Sequence, residues 1–202
     1  MTWAWVDAVQ DHLESIYAVR CAHRARGFLL DAEQARALGA VAPETLLVHE
    51  NDDGLELGLY LDPELASAAG DDIGPFCQLA EGVSHFLYLT RSAELRRPVS
   101  LLELEAQGEV DKFALLLLRA WASGRGAFAR MLHGRLFDEV RFRPGLSAAE
   151  RRRYGEANRL ARSYCSRLLP LCSARRLEAL LQALRHAYRL GATAKLEHFA
   201  AG

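Results

Sequence analysis

Between Thr45 and Leu61 the spacing of apolar residues changes from three and four to two, and this break constrains the fold more than any other feature of the chain. Leu46 to His49 and Leu55 to Leu61 are short runs separated by Asn51-Asp52-Asp53-Gly54, whose residues favour tight turns, so the segment is predicted to be a β-hairpin. In its second strand Leu55, Leu57, Leu59 and Leu61 alternate with Glu56, Gly58 and Tyr60, the pattern of a sheet covered on one face by helices. Asp62-Pro63 then reads as a cap followed by a proline in the first turn of a short helix.

Everything around the hairpin has helical spacing. Thr2 is placed to cap a first helix with Val6, Val9, Leu13, Ile16 and Tyr17 on one face, and Asp31 with Gln34 opens a short helix that Gly39 ends. Ala18 to Leu30 carries no readable period. Phe76, Leu79, Val83, Phe86 and Leu87 form the stripe of an amphipathic helix from about Phe76 to Thr90. Ser100 with Glu103 opens a helix to about Ala122, interrupted at Ser123-Gly124-Arg125-Gly126; Ser147 with Glu150 opens another that Pro170 is expected to close; Ser173 caps a last one ended by Gly191. The expected class is α+β, mostly helical, with a small antiparallel sheet and a helical C-terminal extension. The expected division is an acidic α+β core over 1–122 and an arginine-rich extension over 123–202 packed on it as one unit.

No uncharged apolar run approaches the ~20 residues needed to cross a bilayer, no basic residue precedes an apolar N-terminal stretch, and Cys21, Cys77, Cys165 and Cys172 form no C-x-x-C pair. These features predict a cytoplasmic protein with reduced cysteines and no membrane span. Charge is uneven. Residues 1–112 hold 20 acidic and 8 basic side chains, a net of −12, whereas residues 113–202 hold 6 and 17, a net of +11. Internal neutralisation between the halves is the expected outcome; an anionic partner on the arginines is the alternative.

One constellation carries chemistry. Glu81 and His85 are four residues apart on a predicted helix, so they share a face with about 5–6 Å between their Cβ atoms and can both reach one ion. The segments Glu81-Gly82-Val83-Ser84-His85 and Glu109-Val110-Asp111-Lys112-Phe113-Ala114, following a hairpin, resemble the ImmA/IrrE family of minimal zincin metallopeptidases over about residues 45–120. In that family the first segment is H-E-x-x-H and the second supplies a third ligand, a glutamate. The resemblance implies a metal site of Glu81, His85 and Glu109, for zinc or another divalent ion. It also exposes two departures. Glu81 stands where a histidine is expected, which lowers selectivity for zinc. Gly82 stands where the catalytic glutamate is expected, so the general base that takes a proton from metal-bound water is missing and no catalytic residue is assigned.

The leading expectation is therefore a non-catalytic, zincin-like pseudo-peptidase domain acting as a regulatory or protein-interaction module, with a protein as its partner. The family's action on repressors in bacterial stress and mobile-element responses supplies the implied setting. A second expectation is a metal-dependent hydrolase with a displaced base such as Glu50 or Glu105. A third is nucleic-acid or anion binding by Arg152, Arg159 and Arg162, which share a face of one helix; no nucleic-acid-binding motif accompanies them, and this is not favoured.

Overall fold

A computed structural model describes residues 3–40, 42–51, 54–70, 72–122, 128–140 and 142–201. The protein is mostly helical with one two-stranded antiparallel sheet, the α+β class expected. Packing divides it into two compact units, one of Met1–Ser15 and Val19–Arg97, the other of Ile16–Ala18 and Pro98–Gly202.

In the first unit, α1 (Ala4–Tyr17) buries the predicted apolar stripe; its expected cap, Thr2, lies outside the described residues. The unreadable stretch after it contains a 3₁₀ turn at Ala25–Phe28. That turn is held from a distance by Gln10, whose side chain accepts from the Ala25 amide at 2.8 Å and donates to the His23 carbonyl at 2.8 Å. A nonlocal tether of this kind leaves no local period to read. Asp31 and Gln34 form the predicted reciprocal cap of α2 (Ala32–Ala37).

Strands β1 (Glu44–Asn51) and β2 (Gly54–Leu61) pair in unbroken register from Glu44 opposite Leu61 to Asn51 opposite Gly54. Two of the four expected turn residues, Asp52 and Asp53, lie outside the described residues. One step beyond the register the Asp62 amide donates to the Pro43 carbonyl at 2.7 Å, which sets the phase of the ladder. Thr45, Leu47 and His49 are thereby bonded to β2, and the backbone groups of Leu46, Val48 and Glu50 turn to the outer edge. The outer edge of β2 is occupied at Leu59, whose carbonyl accepts from the Leu30 amide at 2.9 Å. Gly58 lets Leu30 lie close there: a Cβ on it would stand 2.7 Å from the end of the Leu30 side chain, which would have to move.

Asp62 caps α3 (Pro63–Ala68) as the Asp-Pro pair predicts. Asp72 caps α4 (Ile73–Glu94), which extends the predicted helix by about a turn at each end and packs on both strands. Its predicted stripe, Phe76, Leu79, Val83, Phe86 and Leu87, is buried throughout, with Trp5 edge-on to Phe76 at 6.3 Å between ring centroids.

The second unit is helical. Helix α5 (Leu101–Ala122) starts where predicted, with the Ser100 hydroxyl accepting from the Glu103 amide at 3.1 Å; the expected interruption at 123–126 lies outside the described residues. Helix α6 (Ala129–Phe137) has no counterpart in the sequence reading, because Arg130, His133, Gly134 and Arg135 dilute its apolar spacing. Helix α7 (Ala148–Ser173) opens with the predicted Ser147–Glu150 box and packs on α5 and α6. Two expectations are corrected here. Pro170 does not close α7, since a proline in the last turn removes only one backbone bond; the helix ends at Ser173, with Arg175 in the left-handed region (φ 52°). Ser173 therefore caps nothing: α8 (Leu177–Arg189) follows Arg176, and Gly191 precedes a further helix, α9 (Ala192–Ala200), instead of ending the fold.

Candidate functional site

Helix α4 places Glu81 and His85 one turn apart, as their spacing requires, and brings a carboxylate oxygen and a ring nitrogen within 4.8 Å of each other. His85 is buried, at 7% exposure, and Glu81 is half-buried. A carboxylate and an imidazole this close form a donor pair suited to a divalent ion, harder in character than a pair of histidines.

Between them in sequence, Gly82 lies close against the hairpin. A Cβ there would meet Cγ and Oε1 of Glu44 at 3.0 Å and Cδ2 of Leu61 at 3.1 Å. Both contacts come from the face of the sheet that carries Leu59 and Leu61, the most buried residues of β2. Gly82 is thus more than a lost side chain: the hairpin packs close enough that a side chain there would have to displace Glu44 and Leu61. Glu44 was not legible as part of this site, because it lies 37 residues before Glu81 and at the opposite end of β1 from Glu50. Glu50 stands six strand residues from Glu44, roughly 20 Å along β1, and is exposed, so its carboxylate is far from Gly82.

The other carboxylates named from sequence belong to α5 in the second unit. Glu109 pairs with Lys112 one turn on, at 2.9 Å. Glu105 is buried and lies 3.5 Å from Nε of Arg153 on α7. Neither behaves as a simple solvent-facing charge at a helix start. Deeper in the same unit, Asp111 accepts hydrogen bonds from the Tyr17 hydroxyl and, at 2.7 Å, from Gln107, whose other side-chain atom accepts from Nζ of Lys195 at 2.7 Å. Lys195 is completely buried and also donates to the Tyr188 carbonyl at 3.2 Å.

Cysteine chemistry is disfavoured at three of the four cysteines. Burial pushes the thiols of Cys21, Cys165 and Cys172 up, that of Cys172 to about 11, so none is a ready thiolate near neutral pH.

The predicted arginine face is largely neutralised where it lies. Arg159 makes two bonds to Glu156, at 2.8 and 2.7 Å, and Arg162 reaches Asp138 just beyond α6 at 2.7 Å. The hydrogen bond and charge of Arg159 hold the Glu156 carboxyl below its usual range. Other arginines hold the backbone: Arg185 donates to the Ile16 carbonyl at 2.9 Å and Arg167 to that of His198. Arg152 remains exposed on α7. Local acids thus offset two of the three charges of the stripe, whose weight as a phosphate track depended on all three being open.

No family model, no curated protein and no solved structure matches this chain. Among the described residues no helix is long and apolar enough to cross a membrane.

Proposed function

We propose that the protein is a non-catalytic, zincin-like module that regulates by binding another protein. The observation that carries this reading is the packing at Gly82. Metal-assisted hydrolysis in the arrangement that Glu81 and His85 resemble needs a carboxylate on the intervening residue. Here that residue has no side chain, and the side chains of Glu44 and Leu61 crowd the position that one would take, so they would have to shift to admit it. The scaffold around the site is otherwise well formed, with an apolar helix on a leucine-lined hairpin, so its persistence without a base favours a role in recognition. The ImmA/IrrE-like segments suggest a bacterial stress or mobile-element setting, and four free cysteines suit the reducing cytoplasm.

Metal retention is the second part of the reading. Glu81 and His85 would supply two ligands to zinc or a related ion, and the family resemblance implies Glu109 as the third, with Glu105 the alternative carboxylate of the same sequence segment. A bound ion in this reading stabilises the fold and polarises bound water, without a base to complete hydrolysis.

The test is a peptide-cleavage assay on purified protein with and without added zinc, run beside metal analysis of wild type, His85→Ala, Glu105→Gln and Glu109→Gln. The expected result is no cleavage in any sample. Metal, where present, should be lost in His85→Ala and in one of the two glutamate variants. Chelator-sensitive cleavage that disappears in His85→Ala would overturn the non-catalytic assignment.

A further inference from the structure

The outer edge of β1 is an open hydrogen-bonding template. Leu46, Val48 and Glu50 each direct a backbone N–H and C=O away from β2, and among the described residues none of these six groups has a partner. The corresponding edge of β2 is covered at Leu59 by the Leu30 amide. Exposed edges are normally blunted by a lysine, a proline, a bulge or shortness. Strand β1 has none of these: it is eight residues long, regularly paired throughout, and lacks lysine and proline. Its second half is exposed, and Val48 leaves an apolar side chain 49% exposed beside the open backbone groups.

Charge identifies the kind of strand that fits. From Ala37 to Thr90 the sequence contains ten acidic residues and no lysine or arginine. Within that span, Glu44 and Glu50 lie on β1 and Glu56 lies on β2 opposite His49. A second copy of this chain would set two such acidic strands side by side, and like charges across a strand pair are destabilising. A cationic strand meets the opposite situation, with carboxylates on the edge strand and on its neighbour and aliphatic side chains between them.

We propose that β1 captures an extended basic segment of a partner protein, with alternating aliphatic and Lys or Arg residues, as a third antiparallel or parallel strand. Backbone bonds to Leu46, Val48 and Glu50 supply affinity, Leu46 and Val48 receive the aliphatic positions on their face of β1, and the acidic surroundings, with Glu50 at the end of that face and Glu56 on the opposite face of the neighbouring strand, favour positive charge on the incoming segment. This assignment rests on the protein-interaction reading and names its partner class.

The experiment uses the whole protein and a labelled, end-capped hexapeptide of alternating lysine and valine, followed by fluorescence anisotropy at low and physiological salt. Its alternating glutamate and valine counterpart is the control. Binding of the basic peptide alone is expected, weakening with salt, with amide exchange at Leu46, Val48 and Glu50 slowed at least tenfold in the complex. Val48→Pro removes an outward amide without changing charge or the β1–β2 ladder and should weaken binding at least tenfold; Glu50→Lys should do so with the backbone intact. Wild-type affinity in a folded Val48→Pro variant, or peptide binding without slowed exchange at those three amides, would sink the proposal. So would equal binding of the acidic peptide. A dimer in the free protein that Val48→Pro converts to monomer would instead make a second copy the occupant and overturn it. Cleavage activity is read separately, so failure here leaves the non-catalytic assignment standing on its own test.

Discussion

The two units bury their polar groups in opposite ways. In the first, charged side chains pair at the rim: Arg24 reaches Asp11 at 2.8 Å, Arg26 reaches Asp7 at 3.1 Å and Arg91 reaches Glu94, all with both partners partly exposed. In the second, Asp111 and Lys195 sit in the core, joined through Gln107 and flanked by Tyr17, which stacks on Tyr188 with ring centroids 4.0 Å apart. Exposed pairs typically contribute about 0–1 kcal/mol, because water competes for both charges. Removing one member of a buried network is far more costly, because it strands the others in a medium that cannot solvate them. Stability in the first unit therefore rests on apolar packing and on the local cluster of Gln10 and Glu14, whereas in the second it is staked on a wider buried network that joins three elements.

The largest effect should come from breaking that network. Asp111→Ala leaves the Tyr17 hydroxyl without its acceptor and the Gln107 amide with only its 3.2 Å bond to Tyr17, and it removes the buried negative charge that Gln107 links to Lys195. Urea unfolding should show a loss of about 3–5 kcal/mol, the range for a broken buried ion pair. Asp111→Leu combined with Lys195→Met removes both charges and should be less destabilised than Asp111→Ala alone. Removing a rim partner in the first unit, as in Asp11→Ala, should cost no more than ~1 kcal/mol. If both substitutions cost the same, the distinction between the units fails.

A second contrast uses two helical glycines. Alanine is favoured over glycine in a helix by about 1 kcal/mol. At Gly155 on α7 nothing lies within 4 Å of the new Cβ, so Gly155→Ala should stabilise by about 0.5–1 kcal/mol. At Gly82 the same methyl group meets Glu44 and Leu61 at 3.0–3.1 Å, and overpacking of about 1–3 kcal/mol offsets the propensity gain. Gly82→Ala should be destabilising, and Gly82→Glu more so. Thermal melts of the three variants decide the matter; a stabilised Gly82→Ala would show that the hairpin yields, and the packing argument against a restored base would collapse.

What was legible from sequence follows the range of the interactions. The Asp31–Gln34 and Ser147–Glu150 caps, the hairpin and the buried stripe of α4 each depend on residues a few positions apart, and all were readable. Glu81 and His85 were found for the same reason. Glu44 against Gly82 and Tyr17 against Asp111 join residues far apart in sequence, for which helical or strand periods carry no signal. The division after Arg97 likewise falls at no change of charge, since the composition break lies inside α5. Helix α9 was hidden because Gly191, a plausible stop, also serves as a start, and because a buried lysine does not look like a core residue.

The smallest effect separates the units by pH. In the second unit, burial first, and then the positive charges of Arg167 and His186, hold the His198 imidazole below its ordinary value near 6.5. In the unfolded chain that group takes up a proton more readily than in the folded protein, so the folded state loses stability as pH falls below about 6.5. In the first unit, burial pushes the Glu94 carboxyl up, but its bonds from the Ala22 amide and Arg91 outweigh this and leave it below 4.5. Its contribution is present above that value and is lost only as pH falls further. Acidification should therefore loosen α9, whose His198 carbonyl is held by Arg167, before it loosens the segment that Glu94 ties at Ala22. Hydrogen exchange, corrected for the intrinsic pH dependence of the amide rate, should show protection in residues 192–200 falling between pH 7 and 5. Protection near residues 21–22 should hold until about pH 4.5. His198→Gln should flatten the first transition and leave the second in place, whereas simultaneous loss at both sites would mean that acid acts on the protein as one cooperative whole.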